Sequence, residues 1–308
     1  MYRLGVDIGG TTCKIGAFKE PETLLESWEI PTRRENNGVE VLPDISRSIE
    51  EFLRNNGIEK SQVRGIGVGV PGTVTDTGKV GFVTNIGWKN LDVAEELHRL
   101  TELPVQVQND ANMAALGELC FGGAKGKRSM VMFTLGTGVG GAVISGGRVI
   151  CGTNGAAGEW GHLRVNPKET AVCGCGKRGC LEQYASATGM VRLMKNLLEE
   201  SKEDSLLRGT EITAKAIWEA VDKKDALAEQ VADEATRYLG QVIAAAVLTA
   251  DPEIVLLGGG VSKAGDALLS RVREAYRSQT FHACLETPIE LAKLGNSAGI
   301  YGCMGMEF

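Results

Sequence analysis

Tyr2-Arg3-Leu4-Gly5-Val6-Asp7-Ile8-Gly9-Gly10-Thr11-Thr12-Cys13-Lys14-Ile15-Gly16-Ala17-Phe18 is an apolar strand, a glycine-rich turn and a second strand. Tyr2–Ile8 reads as a buried strand, and the chain returns through Lys14–Phe18. The layout recurs at Met130–Leu135, Gly136-Thr137-Gly138 and Val139–Ile144. Two such hairpins so far apart point to a duplicated domain, each half opening with one hairpin. Outward from them, strand patterns mark Val63–Val70, Val105–Gln108 and Ile254–Leu257. Helical periodicity marks Ile45–Leu53, Leu91–Leu100, Ala111–Leu119, Leu181–Glu199, Ala226–Thr249 and Ala264–Arg277. Alternating strands and helices give the class α/β. The expected domains are residues 1–120, with the C-terminal helix 296–308 as a candidate to complete them, and residues 121–295. The boundary falls in the Gly- and Lys-rich stretch Cys120–Lys127.

The 308 residues are 43% apolar and 23% charged, ordinary globular material. A formal net charge of −6 argues against a nucleic-acid partner, which would want a basic face. The longest apolar runs are strand-sized or interrupted, so no membrane span is expected. The first residues lack the layout of a signal peptide. Eight cysteines without an export signal suit a reducing cytoplasm better than a disulfide framework. Cys13, Cys120, Cys151, Cys284 and Cys303 stand alone and read as small buried hydrophobes.

A glycine-rich turn lets backbone N–H groups approach an anion, and threonine hydroxyls add donors. Gly9-Gly10-Thr11-Thr12 and Gly136-Thr137-Gly138 are two such turns, and a cleft between the halves would bring both to one polyphosphate. Neither fits the pattern Gly-x4-Gly-Lys-Ser/Thr, and neither precedes a helix as a dinucleotide fingerprint does. Asp7, at the end of a buried strand, needs a partner or a cation, and beside phosphates Mg²⁺ suits it. Gly258-Gly259-Gly260 could form a flat floor for a nucleoside or a plain strand-to-helix turn.

Val105–Asp110 runs into a helix, and spacing alone makes Asn109 or Asp110 its N-cap. His162, Cys173, Cys175 and Cys180 form a soft, closely spaced Cys3His set, the donor set of a closed, structural zinc site.

Taken together, Asp7-Ile8-Gly9-Gly10-Thr11-Thr12-x-Lys14, Asn109-Asp110, Gly136-Thr137-Gly138-x-Gly140, Glu159-x-Gly161-His162 and Cys173-x-Cys175-Gly176-x2-Gly179-Cys180-x-Glu182 fall in the order found in the ROK family of sugar kinases and sugar-responsive repressors. The resemblance covers nearly the whole chain. It implies the actin-like ATPase fold, two ribonuclease-H-like domains with a ligand cleft between them, and ATP–Mg²⁺ as phosphoryl donor, with polyphosphate the other donor left open. It assigns Asp110 as the catalytic base. It places Gly72, Asn85, Asn109, Asp110, Glu159, His162 and Glu182 around the sugar, and lets His162 serve zinc and sugar with different ring nitrogens. The phosphate and nucleoside contacts would be Asp7, Gly9, Gly10, Thr11, Thr12, Lys14, Gly136, Thr137, Gly138, Gly258, Gly259 and Gly260. Repressors of the family carry an N-terminal helix-turn-helix domain, for which a motif at Asp7 leaves no room, so a kinase is expected over a non-catalytic sugar sensor. Glu-x-Gly-His resembles the glucokinase-like members and ranks glucose first. N-acetylmannosamine, mannose, fructose and allose remain alternatives. The resemblance also suggests a homodimer or homotetramer.

Overall fold

The computed structural model describes residues 1–75, 78–83 and 86–308, the side chain of Phe82 excepted. The chain forms two compact units, Met1–Gly126 with Gly147–Ala157 and Leu294–Phe308, and Lys127–Gly146 with Gly158–Lys293. A division into 1–120 and 121–295 places Gly147–Ala157 differently. The segment is held in the first unit, where Cys151 Sγ donates to Gln108 Oε1 at 3.3 Å.

In the first unit, β1 (Tyr2–Ile8), β2 (Thr12–Lys19) and β3 (Thr23–Pro31) form an antiparallel meander. β4 (Val63–Val70) joins β1 in parallel. β5 (Lys79–Val83) and β6 (Trp88–Asp92) make a separate hairpin. β7 (Val105–Asn109) pairs with β4, giving the order β3-β2-β1-β4-β7. Alternation puts Leu4, Val6 and Ile8 on one face, in a core with Ile45, Ile49 and Leu97 from the helices Val41–Asn55 and Val93–Thr101. On the opposite face Gly16, Gly5 and Gly67 stand in register across β2, β1 and β4. A Cβ at Gly5 would come within 2.2 Å of Ile300 O, and one at Gly67 within 2.7 Å of Cys303 Cβ. These glycines let residues near the C-terminus lie directly on the sheet, a role their sequence positions did not announce.

In the second unit, β8 (Met130–Leu135) and β9 (Val139–Ser145) form the expected second hairpin. Val255–Gly258 pairs in parallel with β8, and Ile289–Leu291 with Val255–Gly258. Hairpin followed by parallel strands is also the arrangement of β2, β1, β4 and β7. The core gathers around the helix Ala226–Ala250, whose Asp225 cap accepts the Ala228 N–H at 3.0 Å. It crosses the helix Asp266–Arg277 closely at Gly240, where a Cβ would approach Ala275 Cβ to 2.6 Å.

The single helix expected over Leu181–Glu199 is two, Glu182–Ala185 and Ala187–Glu200. Ser186 breaks it with extended backbone, its hydroxyl donating to Glu182 O at 2.6 Å and accepting from Gly189 N at 2.9 Å. The edge strand β3, the β5–β6 hairpin and the helix Ala214–Asp222 are elements beyond those expected. Of the five solitary cysteines, four are buried and Cys120 is only half-buried. Among the described residues no helix is long and apolar enough to cross a membrane.

Candidate active site

In the first unit the β1–β2 turn closes with Gly9 N–H donating to Thr12 O at 3.0 Å. Thr32, unmarked in the sequence, anchors the turn twice: its hydroxyl donates to Gly9 O at 2.8 Å and its N–H to Thr11 O at 2.9 Å. Thr11 and Thr12 are exposed, and Gly9 and Gly10 half-buried. Lys14 Nζ sits 3.4 Å from Glu29 Oε1 and donates to Asn296 O at 3.4 Å. Asp7 pairs across the sheet from Lys14 and Gly69. Burial, then repulsion from Asp110, push its carboxyl up to about 6 against the attraction of Lys14. A half-buried carboxylate held so reluctantly ionised fits a divalent cation.

The ambiguity at the helix Asp110–Phe121 resolves in favour of Asn109 as the cap. Its Oδ1 accepts from Ala111 N at 2.9 Å and Asn112 N at 3.2 Å, while Nδ2 donates to Gly72 O at 2.9 Å. Gly72 adopts φ 93°, where a side chain would be strained. Asn109 therefore fixes both Gly72 and the helix start. Asp110, exposed in the first helical turn, accepts Ala111 N–H on Oδ1 at 2.8 Å. The positive end of the helix favours its anionic form. Asn85 lies outside the described residues.

In the second unit the β8–β9 turn closes with Gly136 N–H donating to Gly138 O at 3.0 Å. Its carbonyls are occupied from the helix Ala187–Glu200: Ala187 N donates to Gly136 O at 2.8 Å and Thr188 Oγ1 to Thr137 O at 2.6 Å. Glu182 lies against the turn, with Oε2 accepting Val139 N–H at 3.1 Å and Oε1 3.7 Å from Cys173 Sγ. A Cβ at Gly138 would meet Glu182 Oε2 at 2.1 Å, whereas one at Gly136 would meet nothing within 4 Å. Gly258-Gly259-Gly260 continues from the strand beside β8, and Gly259, at φ 85°, packs on Leu135. A Cβ at Gly260 would also point into open space. Gly259 is thus required by the fold itself, Gly138 is crowded only by the movable Glu182 carboxylate, and Gly136 and Gly260 are not constrained by their neighbours.

Glu159-Trp160-Gly161-His162 lies flat on β9. A Cβ at Gly161 would sit 2.0 Å from Val139 O, and one at Gly141 2.2 Å from Trp160 Cδ1. Trp160 stacks on Phe133 with ring centroids 5.9 Å apart. Glu159 is half-buried and His162 exposed. His162 Nδ1 is 3.8 Å from Cys173 Sγ, Cys175 and Cys180 sulfurs are 3.6 Å apart, and the four donors lie within 4.8 Å of one another. Tetrahedral bonds of about 2.3 Å place two sulfurs about 3.8 Å apart, so the donor set fits zinc. Gln183, also unread in the sequence, clamps this loop: Oε1 accepts Gly179 N–H at 2.8 Å and Cys180 N–H at 3.1 Å, and Nε2 donates to Ala171 O at 3.0 Å. Beneath it Glu169 accepts from Tyr184 OH at 2.6 Å and Arg192 Nη2 at 2.9 Å.

The first unit thus gathers Asp7, the Gly9–Lys14 turn, Gly72, Asn109 and Asp110. The second gathers Gly136–Gly138, Glu182, Glu159, the Cys3His set and Gly258–Gly260.

The sequence profile of the ROK family matches residues 3–306. A glucokinase of Halalkalibacterium halodurans is 40% identical, the alignment covering 98% of this chain and 93% of that protein. The ROK hexokinase of Thermus thermophilus superposes with a TM-score of 0.84 at 33% identity, over 99% of this chain and 97% of that one. A ROK family glucokinase from Streptomyces griseus, solved with glucose and AMPPNP, gives a TM-score of 0.80 at 33% identity, over 99% and 98% of the two chains.

Proposed function

Because the chain belongs to the ROK family, and with it to the actin-like ATPase fold, we propose that it is an ATP-dependent sugar kinase converting glucose to glucose 6-phosphate. The observation that carries this reading is the placing of Asp110. Its carboxylate starts a helix whose cap is another residue, beside a second carboxylate, Asp7, that is costly to ionise.

The 6-hydroxyl oxygen bonds to the γ-phosphorus, the bond from that phosphorus to the β-bridging oxygen breaks, and the hydroxyl proton passes to Asp110. Products are the sugar phosphate and ADP. A loose transition state asks little basicity of Asp110, and its main tasks are to align the hydroxyl and take the proton late. Backbone N–H groups of the Gly9–Thr12 and Gly136–Gly138 turns would receive phosphate oxygens, and Gly260 the nucleoside. Asp7 would hold Mg²⁺, directly or through water, which supplies neutralisation of phosphate charge. Asn85, Asn109, Glu159, His162 and Glu182 would hold the sugar hydroxyls. With Nδ1 directed to Cys173, His162 keeps Nε2 for the sugar. Zinc in the Cys3His set would fix that ring without entering the chemistry. Eight free cysteines suit a reducing cytoplasm.

The test is ADP release with ATP–Mg²⁺ and a panel of hexoses and amino sugars. Turnover should depend on sugar, with glucose giving the highest kcat/KM. Sugar-independent hydrolysis, or none with any sugar, would overturn the reading; preference for another hexose would replace the substrate alone.

A further inference from the structure

We propose that Glu118 is a positioning residue for phosphoryl transfer, fastening two of the segments by which the chain passes between its units to the helix that carries Asp110. The inference rests on the kinase reading and on Asp110 as the base.

Glu118 is 0% exposed and sits in the last turns of the helix Asp110–Phe121. Its Oε1 accepts Leu294 N–H at 2.6 Å, and its Oε2 accepts Gly123 N–H at 2.7 Å. Leu294 is the first residue after the chain leaves the second unit at Lys293, and Gly123 precedes the departure at Gly126. The Glu118 backbone carbonyl also accepts from Gly122 N and Ala124 N, each at 3.1 Å, so residues 122–124 fold back on this one residue. The wrap is tight, because a Cβ at Gly122 would come within 2.0 Å of Oε2. At the adjacent residue, a Cβ on Gly117 would lie 2.3 Å from Ala298 O, so the segment following Leu294 is seated on the same helix.

A buried carboxylate with an N–H on each oxygen is a strong two-point acceptor, and here its two donors belong to distant parts of the chain. The element between Glu118 and Asp110 is a helix rising about 1.5 Å per residue, some ~12 Å of rigid rod. One end bears the proton acceptor and the other holds the two connections. A shift of about 1 Å in such an alignment can cost about 10²-fold in rate. Glu118 touches none of the reacting groups, and its effect is carried through the helix.

Glutamine nearly preserves volume but has one acceptor end and one donor end, so Glu118→Gln can keep only one of the two bonds. Leu294→Pro removes the donor to Oε1 and leaves Glu118 in place, at a φ of −83° close to proline's own. Wild type is assayed first: absence of sugar-dependent ADP release there speaks against the kinase reading and not against Glu118. In the variants, kcat per folded molecule at 25 °C should fall about 10- to 100-fold. Zinc content and sugar KM should stay within about threefold. A kcat within about twofold of wild type, whatever happens to Tm, would make Glu118 a purely structural residue and overturn the proposal. If Glu118→Gln fails to fold, Leu294→Pro decides by the same criterion.

Discussion

Asp7 and Asp110 flank Gly69: Asp7 of β1 lies opposite Gly69 of β4, and Asp110 follows Asn109 of β7, which pairs with Val70. The two carboxyl groups repel, and that repulsion adds to burial in lifting Asp7 to about 6. Two acids that destabilise each other in the free protein are the pattern of a site shaped for a cationic visitor.

A stability test follows from the sign of that shift. A carboxyl whose folded pKa is raised favours folding most below its unfolded value, and the contribution is lost as pH rises through about 6. Above that, ionised Asp7 costs the free protein on the order of 1–3 kcal/mol. Asp7→Asn should therefore melt higher than wild type at pH 7.5 without nucleotide or Mg²⁺, the gap closing towards pH 4, while turnover is lost. Paired thermal melts across pH check this; an Asn variant melting lower at pH 7.5 contradicts it.

Asp110→Asn should leave stability nearly unchanged, since Asn109 is the cap and an asparagine oxygen can still accept Ala111 N–H. Turnover should fall by roughly 10²–10⁴ because the amide cannot take a proton. Measuring kcat beside Tm decides it, and a near-normal kcat would remove Asp110 as the base.

The glycines divide into two kinds with opposite expectations. Gly136→Ala and Gly260→Ala meet open space and should change stability by no more than about 0.5 kcal/mol, yet raise the KM for ATP if phosphate and nucleoside approach there. Gly161→Ala would drive a methyl into Val139 O, costing about 1–3 kcal/mol and displacing His162, so sugar KM should rise. Melting curves and the two KM values separate the cases; unchanged ATP KM in both the Gly136 and Gly260 variants would detach those glycines from the nucleotide.

Freshly purified protein should contain about one zinc per chain, as a closed four-donor site requires. Removing it by chelation, or making Cys175→Ser, should lower Tm and weaken sugar binding together, because His162 loses its anchor. Elemental analysis with calorimetric sugar titration reads both effects. Substoichiometric zinc in active enzyme would count against the site.

Read alone, the two hairpins made the duplicated α/β architecture legible, because strand alternation and glycine turns are local signals within a dozen residues. The Cys3His set was legible for the same reason: three of its four ligands fall within eight positions, Cys173 to Cys180. Asn109 and Asp110 were visible as a pair, but which one caps depends on backbone angles at the strand end.

The amino-acid sequence by itself determined the elements, the turns and the ligand types, all features written in neighbouring residues. Only the tertiary structure decided that Thr32 would hold the first turn, that Gln183 would clamp the metal loop, and that Glu118 would gather Gly123 and Leu294. It also decided which glycines are seats for other backbone and which face open space. Glu118 and Leu294 are 176 positions apart and Thr32 and Gly9 23, and even the short links, Gln183 to Gly179 and Glu118 to Gly123, join a helix to a loop outside it. A buried polar group finds its partner only once packing has excluded water and left it nothing else to bond.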